Sequence, residues 1–166
     1  MAINCFEAPV IQALLGEVKD EYSDQESLSP QLLLRLASFF TYPLLSSTLD
    51  MLDTLAIRRR VAANHPDELL FGRRSRIVRV TPRSANDGRD SHPFLWQVWS
   101  TSGLSYVIYP GTNYCPCESW QYLVWRKGLY VTCKHVLGVA MGLAMNLIEE
   151  REVDSVDFVM LSSLGE

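Results

Sequence analysis

An α+β fold is predicted, with an N-terminal helical region followed by a β-hairpin and helix unit of β-β-α order. Three observations carry this. Apolar residues recur at helical spacing through the first third of the chain. β-branched and aromatic runs follow residue 75. A wide apolar helical face then starts near Cys133. The chain has 166 residues, 48% apolar and 20% charged, enough apolar surface for a packed core and too little charge for global disorder.

Val10, Ile11, Leu14, Leu15 and Val18 mark one face of a first helix, with Pro9 suited to its first turn. The acidic stretch from Asp20 to Ser27 reads as a solvated loop. Ser29-Pro30 reads as an N-cap and first-turn proline ahead of Leu32, Leu33, Leu36, Phe39 and Phe40. Tyr42-Pro43 interrupts that helix, because a residue before proline disfavours the α region. Leu44, Leu45, Leu49, Leu52 and Leu55 suggest a third helix, and the character changes near residue 56.

Arg76 to Val80 is expected as a strand and Thr81 to Pro93 as a loop. Phe94–Trp99 and Leu104–Tyr109 are expected to pair across a short hairpin loop at Ser100 to Gly103. Trp120 to Trp125 fits a short helix. The last helix is expected to run from Cys133 to about Glu150, with Glu149, Glu150 and Glu152 opposing its dipole. Residues 1–55 thus form a helical region, 56–93 an arginine-rich strand and loop segment, 94–150 the hairpin-helix unit, and 151–166 a tail that packs on the core or meets a partner.

The net charge of −4 is unevenly spread. Residues 1–54 carry −6 and residues 91–166 carry −3, so the stretch 55–90, at +5, is the one net-basic segment. Arg58, Arg59, Arg60, Arg73, Arg74, Arg76, Arg79, Arg83 and Arg89 are candidate phosphate contacts, with solvated loop arginines as the alternative. Trp96, Trp99, Tyr106 and Tyr109 offer rings for base stacking, but alternating strand aromatics more often pack inward. No apolar run reaches the roughly 18 residues of a membrane span. No basic and apolar leader is read at the N-terminus, so a cytosolic or nuclear protein is expected. His65 and His92, each before proline, are expected as surface polar residues, and Cys5 as a spare thiol.

Cys115-Pro-Cys117 and Cys133-Lys-His135 are two close pairs of metal-ligand residues, fifteen residues apart. Zinc takes four such ligands in a tetrahedron, and Cys₃His is a structural combination. Each pair can supply one edge, with the loop from Glu118 to Thr132 doubling back between them. Four protein ligands leave no position for water, which argues against hydrolytic chemistry. Lys134 offers charge to offset the thiolates. The alternative is a set of ordinary buried residues, since free cysteine packs well in cores. No phosphate-binding G-x-x-x-x-G-K-[ST], G-x-S-x-G or H-E-x-x-H motif is present, so no enzyme is expected.

The C-x-C, spacer, C-x-H pattern resembles the SWIM-type zinc-finger signature, and the strands and helix around it resemble that family's β-β-α arrangement from 94 to about 150. The wider layout resembles the small SWIM subunit of Shu complexes, which promote homologous recombination. Leu49-Asp50-Met51-Leu52-Asp53, Phe94-Leu95-Trp96-Gln97-Val98 and Cys133-Lys134-His135-Val136-Leu137 carry that likeness. The resemblance implies a zinc-dependent, non-catalytic nuclear subunit. It would form a heterodimer with a RecA-family recombinase paralogue and support recombinase filaments on single-stranded DNA, without a membrane partner. The rivals are a stand-alone nucleic-acid-binding finger and a ubiquitin-ligase accessory chain. Two departures stand out: Gly138 where the family often has alanine, and a longer arginine-rich stretch.

Overall fold

The computed structural model describes residues 5–64, 75–83, 93–100 and 102–164, with backbone alone for 61–64. After a 3₁₀ turn at Cys5–Glu7, helix α1 spans Pro9–Gln25 and buries Ile11, Leu14 and Val18. The acidic stretch expected as a loop is instead its last turns. The helix stops at Glu26, whose left-handed φ of 51° lets its N–H donate to the Tyr22 carbonyl. Glu21 has a structural task there: its carboxylate accepts from the Ser29 N–H and hydroxyl at 2.7 and 2.9 Å.

Helix α2, Pro30–Phe40, starts as expected, with the Ser29 hydroxyl accepting from the Leu32 N–H. Leu32, Leu36 and Phe40 recur every four residues and are buried. Thr41, with φ 61°, breaks the chain before Pro43. Helix α3 then runs Tyr42–Asn64, well past the expected end at residue 55. Neither proline nor glycine interrupts it before Pro66, and alanine and arginine are good helix formers. Arg58, Arg59 and Arg60 are therefore helical, not in a loop.

Four strands form one sheet in the order β3-β2-β1-β4. They are β1 (Arg76–Pro82), β2 (Leu95–Trp99), β3 (Ser105–Ile108) and β4 (Glu149–Val153). The expected hairpin is present: β2 and β3 are antiparallel, with Val98 opposite Tyr106. β1 is antiparallel to β2, with Ile77 opposite Val98. The fourth strand was not expected. It lies parallel to β1, with Val80 opposite Arg151.

Helix α4, Lys134–Ala144, is therefore shorter than the sequence suggests. Asn146 adopts a left-handed φ of 53°, and the Leu147 N–H returns to the Gly142 carbonyl, which closes the helix. The glutamates expected at its end stand on β4, beside the arginines of β1 and α3, and so never oppose the dipole.

The period-2 alternation of the strands sorts two faces. Ile77, Trp96, Val98 and Ile108 face the cluster built by α1 to α4. Val78, Val80, Leu95 and Val107 face the other way, where Val153 and the half-buried Phe158 and Leu161 cover them. Phe158 and Leu161 belong to α5 (Ser155–Ser163), so this part of the expected tail packs on the sheet. One buried cluster runs from Ile11 to Leu147 and includes Cys115, Cys117 and Cys133, so the N-terminal helices and the hairpin-helix unit share a core. Among the described residues no helix is long and apolar enough to cross a membrane.

Candidate metal centre

The chain leaves β3 through Pro110 and Gly111, whose φ of 72° suits glycine in the turn. Asn113, buried, then fastens two distant segments. Its side-chain amide donates to the Val131 carbonyl at 2.8 Å, and its own carbonyl accepts from the Trp120 indole N–H at 2.9 Å. These bonds hold the segment before Cys115 against the segment before Cys133. The Trp120 backbone N–H reaches the Cys117 carbonyl at 3.1 Å and its sulfur at 3.3 Å. Trp120 opens a π-helical turn, Trp120–Arg126, where the sequence suggests a short helix.

Cys133 is the N-cap residue of α4, and His135 lies in that helix's first turn. The Cys133 thiol therefore meets a helix N-terminus, whose partial positive charge favours thiolate. The His135 ring packs against Tyr106 of β3, with centroids 4.5 Å apart.

The four side chains are all buried, and their donor atoms lie within 4.8 Å of one another. His135 Nδ1 and Cys115 Sγ are 3.7 Å apart. A tetrahedral zinc with ordinary Zn–S and Zn–N bonds has donor–donor edges of about 3.4–3.8 Å, so the cluster is near ligand geometry. Among the described residues His135 Nε2 is buried without a hydrogen-bond partner, so hydrogen bonding alone does not account for burying this imidazole. All three cysteines are free thiols. The donor set and its spacing fit zinc: Cys115, Cys117, Cys133 and His135 form a possible zinc site.

Without a metal the thiols compete for protons. Hydrogen bonds from Cys115 and Cys133 hold Cys117 far below the ordinary thiol value. The Cys115 thiol is raised by its bonds to Cys117 and Cys133 and by burial. Cys115 pulls Cys133 down, but Cys117 and burial prevail and push it up to about 12. A divalent cation removes this conflict by bonding every sulfur as thiolate. A zinc ion held by all four donors would keep no open coordination position.

The candidate phosphate-binding arginines lie elsewhere, and each described one meets a partner within the chain. Arg58 donates to Glu149 at 2.8 Å, Arg59 to the Asn146 carbonyl at 2.6 Å, and Arg60 to Glu26 at 2.8 Å. Arg76 stacks on Trp99 at 3.8 Å. Arg79 stacks on Phe94 at 4.3 Å and approaches Glu150 at 3.5 Å. The first two fasten α3 to the segment around β4. Arg73, Arg74, Arg89, His65 and His92 lie outside the described residues. Of the strand aromatics, Trp96 is buried, while Trp99, Tyr106 and Tyr109 are half-buried. The sequence reading missed the bridging by Asn113 and Trp120. The one local signal was a tryptophan three residues after the second cysteine.

A buried Cys₃His cluster at the start of a helix is the donor set of a structural zinc finger. Two curated relatives narrow the class. The chain is 26% identical over 144 residues to zinc finger SWIM domain-containing protein 7 of Danio rerio, covering 87% of this chain and 83% of that one. It is 28% identical over 119 residues to the Mus musculus protein of the same name, covering 63% and 74%. No family model matches the chain, and no solved structure matches it. With its C-x-C and C-x-H ligands brought together, the Cys/His cluster fits a SWIM-type zinc finger like that in the name of these relatives.

Proposed function

We propose that the chain is a non-catalytic subunit of a Shu-like complex that promotes homologous recombination and DNA repair in the nucleus. It pairs with a RecA-family recombinase paralogue and supports recombinase filaments on single-stranded DNA. The partner brings the nucleotide site, which this sequence lacks. The observation that carries the reading is the closed centre built into a core shared with the N-terminal helices. Such a site organises surfaces rather than chemistry. Likeness to the zebrafish relative over 87% of the chain, beyond the finger alone, supports a protein built to the same plan.

An apolar groove between α2 and α3 supports a protein partner. It has a volume of about 460 Å³, with Leu33, Ala37, Leu45 and Leu49 in its lining. Leu34 and Tyr42 beside it are more than 70% exposed, unusual for large apolar side chains.

Purification of the tagged chain from its own cells, followed by mass spectrometry, tests the proposal. A recombinase paralogue is expected at equal stoichiometry, and Cys133→Ala or His135→Ala should lose both zinc and that partner. A metal-free variant that keeps its partner, or a wild-type chain that brings down no recombinase paralogue, overturns it.

A further inference from the structure

We infer that the loop between the two ligand pairs is a base-stacking platform for single-stranded nucleic acid, with Trp125 as its ring and Arg126 and Lys127 as its phosphate contacts. This deepens the proposed function by naming the surface of this chain that meets the strand, and its test does not require the partner.

The platform is built outward from the metal centre. Trp120, 7% exposed, is held by its indole bond to Asn113 and edge-on by Tyr114 at 4.8 Å. Trp125 lies nearly parallel to Trp120, at 17° and 6.2 Å between centroids. Trp125 is nevertheless 70% exposed, so much of the indole is open to solvent. A tryptophan fixed on one side and open on the other extends a stack at small entropic cost, and any base has a π-face to continue it. Tyr122, 49% exposed, adds a second ring, with the Lys127 ammonium 5.6 Å from its centroid.

Charge selects the ligand class. From Glu118 to Thr132 the loop carries Arg126 and Lys127 against one acid, Glu118, within a chain of net charge −4. Arg58, Arg79 and Arg83 are in ion pairs, whereas among the described residues no salt bridge engages Arg126 or Lys127. Two exposed cations without acidic partners beside an open indole match a phosphate backbone with unpaired bases. Leu129 and Val131, also exposed, would suit a protein partner as well, and the test separates the two.

The test uses the full-length, zinc-loaded chain and a fluorescein-labelled oligothymidylate, followed by anisotropy across a salt series. Trp125→Ala should weaken binding about tenfold, and Trp125→Phe should keep most of it. Arg126→Gln with Lys127→Gln should reduce the salt dependence by about 1.4 in log–log slope, for two lost phosphate contacts. One bound zinc per chain in each variant shows that the fold is intact. The inference is overturned if the wild-type chain does not bind the oligonucleotide, or if zinc-loaded Trp125→Ala binds as well as wild type. It is also overturned if Trp125→Ala releases a co-purifying protein yet binds the oligonucleotide normally. Binding that depends on Trp125 in a chain that recovers no recombinase paralogue upholds this inference and removes the subunit reading.

Discussion

The terminal methyl of Met51 in α3 lies against the bare backbone of Gly138 in α4, so close that a Cβ at position 138 would overlap it. Glycine here replaces the alanine common in the resembled family because Met51 fills the space. Gly138→Ala recovers about 1 kcal/mol of helix propensity, and the flexible methionine tip can yield, so stability in urea should stay within about 1 kcal/mol of wild type. Gly138→Val, with Ile77 Cδ1 already 3.6 Å from the Cβ position, should lose about 2–3 kcal/mol. Met51→Ala alone should cost about 2–4 kcal/mol. Its double variant with Gly138→Ala should cost less than the sum, since the added methyl enters the space Met51 left.

Loss of one zinc ligand should reach the whole molecule. Cys117, Cys133 and the N-terminal Leu14 and Leu36 share one buried cluster. Cys117→Ser and His135→Ala should reduce bound zinc from one per chain to near zero and destabilise by at least about 3 kcal/mol. Tryptophan fluorescence, which reports the finger, and far-ultraviolet circular dichroism, dominated by the helices, should lose their transitions together. Helices that melt at the wild-type urea concentration in a metal-free variant would contradict the shared core.

Two ion pairs that join β-structure to its neighbours should differ in worth. Arg58, its side chain 16% exposed, donates from α3 to Glu149 on β4. Arg83 and Asp154 are 66% and 73% exposed and 3.5 Å apart. Arg58→Ala leaves Glu149 without this partner and removes packed stem, so a loss of about 1–2 kcal/mol is expected. Arg83→Ala should fall within about 0.5 kcal/mol of wild type, as solvent-screened pairs do. Urea denaturation of the two variants side by side decides this.

A pH effect follows from Glu17 and Arg35, which join α1 to α2 through paired hydrogen bonds, one of 2.7 Å. The bond from Arg35 holds the Glu17 carboxyl below its ordinary value of 4.5. A lowered folded-state value means that the stabilisation is present above pH 4.5 and is lost as pH falls through the lowered value. Glu17→Gln should therefore be the less stable protein near neutrality and converge on wild type in acid. Chemical denaturation across that range gives the difference directly, since the acid response of the thiol cluster is common to both proteins.

Local signals were legible in the sequence. Ser29-Pro30 begins a helix, Tyr42-Pro43 separates two, and the ligand pairs at 115–117 and 133–135 stand out because one metal needs such groups close along the chain. What escaped depends on distant partners. Asp20 to Gln25 look like a polar loop until Glu21 is seen bonded to Ser29. Glu149 to Val153 look like the end of a helix until Asn146 turns the chain and β1 supplies hydrogen-bonding partners. The arginines read as free for phosphate because Glu149 and Glu150 are far along the chain; Arg79 and Glu150 are 71 positions apart. The finger's β-hairpin was legible for the converse reason, being closed by a few residues of turn.

The parallel seam between β1 and β4 has a consequence for biogenesis. During translation β1 and the hairpin leave the ribosome long before Glu149 to Val153, so one side of β1 must wait with its amides and carbonyls unmatched. Val78 and Val80 on that strand are almost wholly buried in the finished protein but have no cover from Val153 or α5 at that stage. A nascent chain whose Glu149 has not yet emerged offers a sticky ribbon to its neighbours on the polysome.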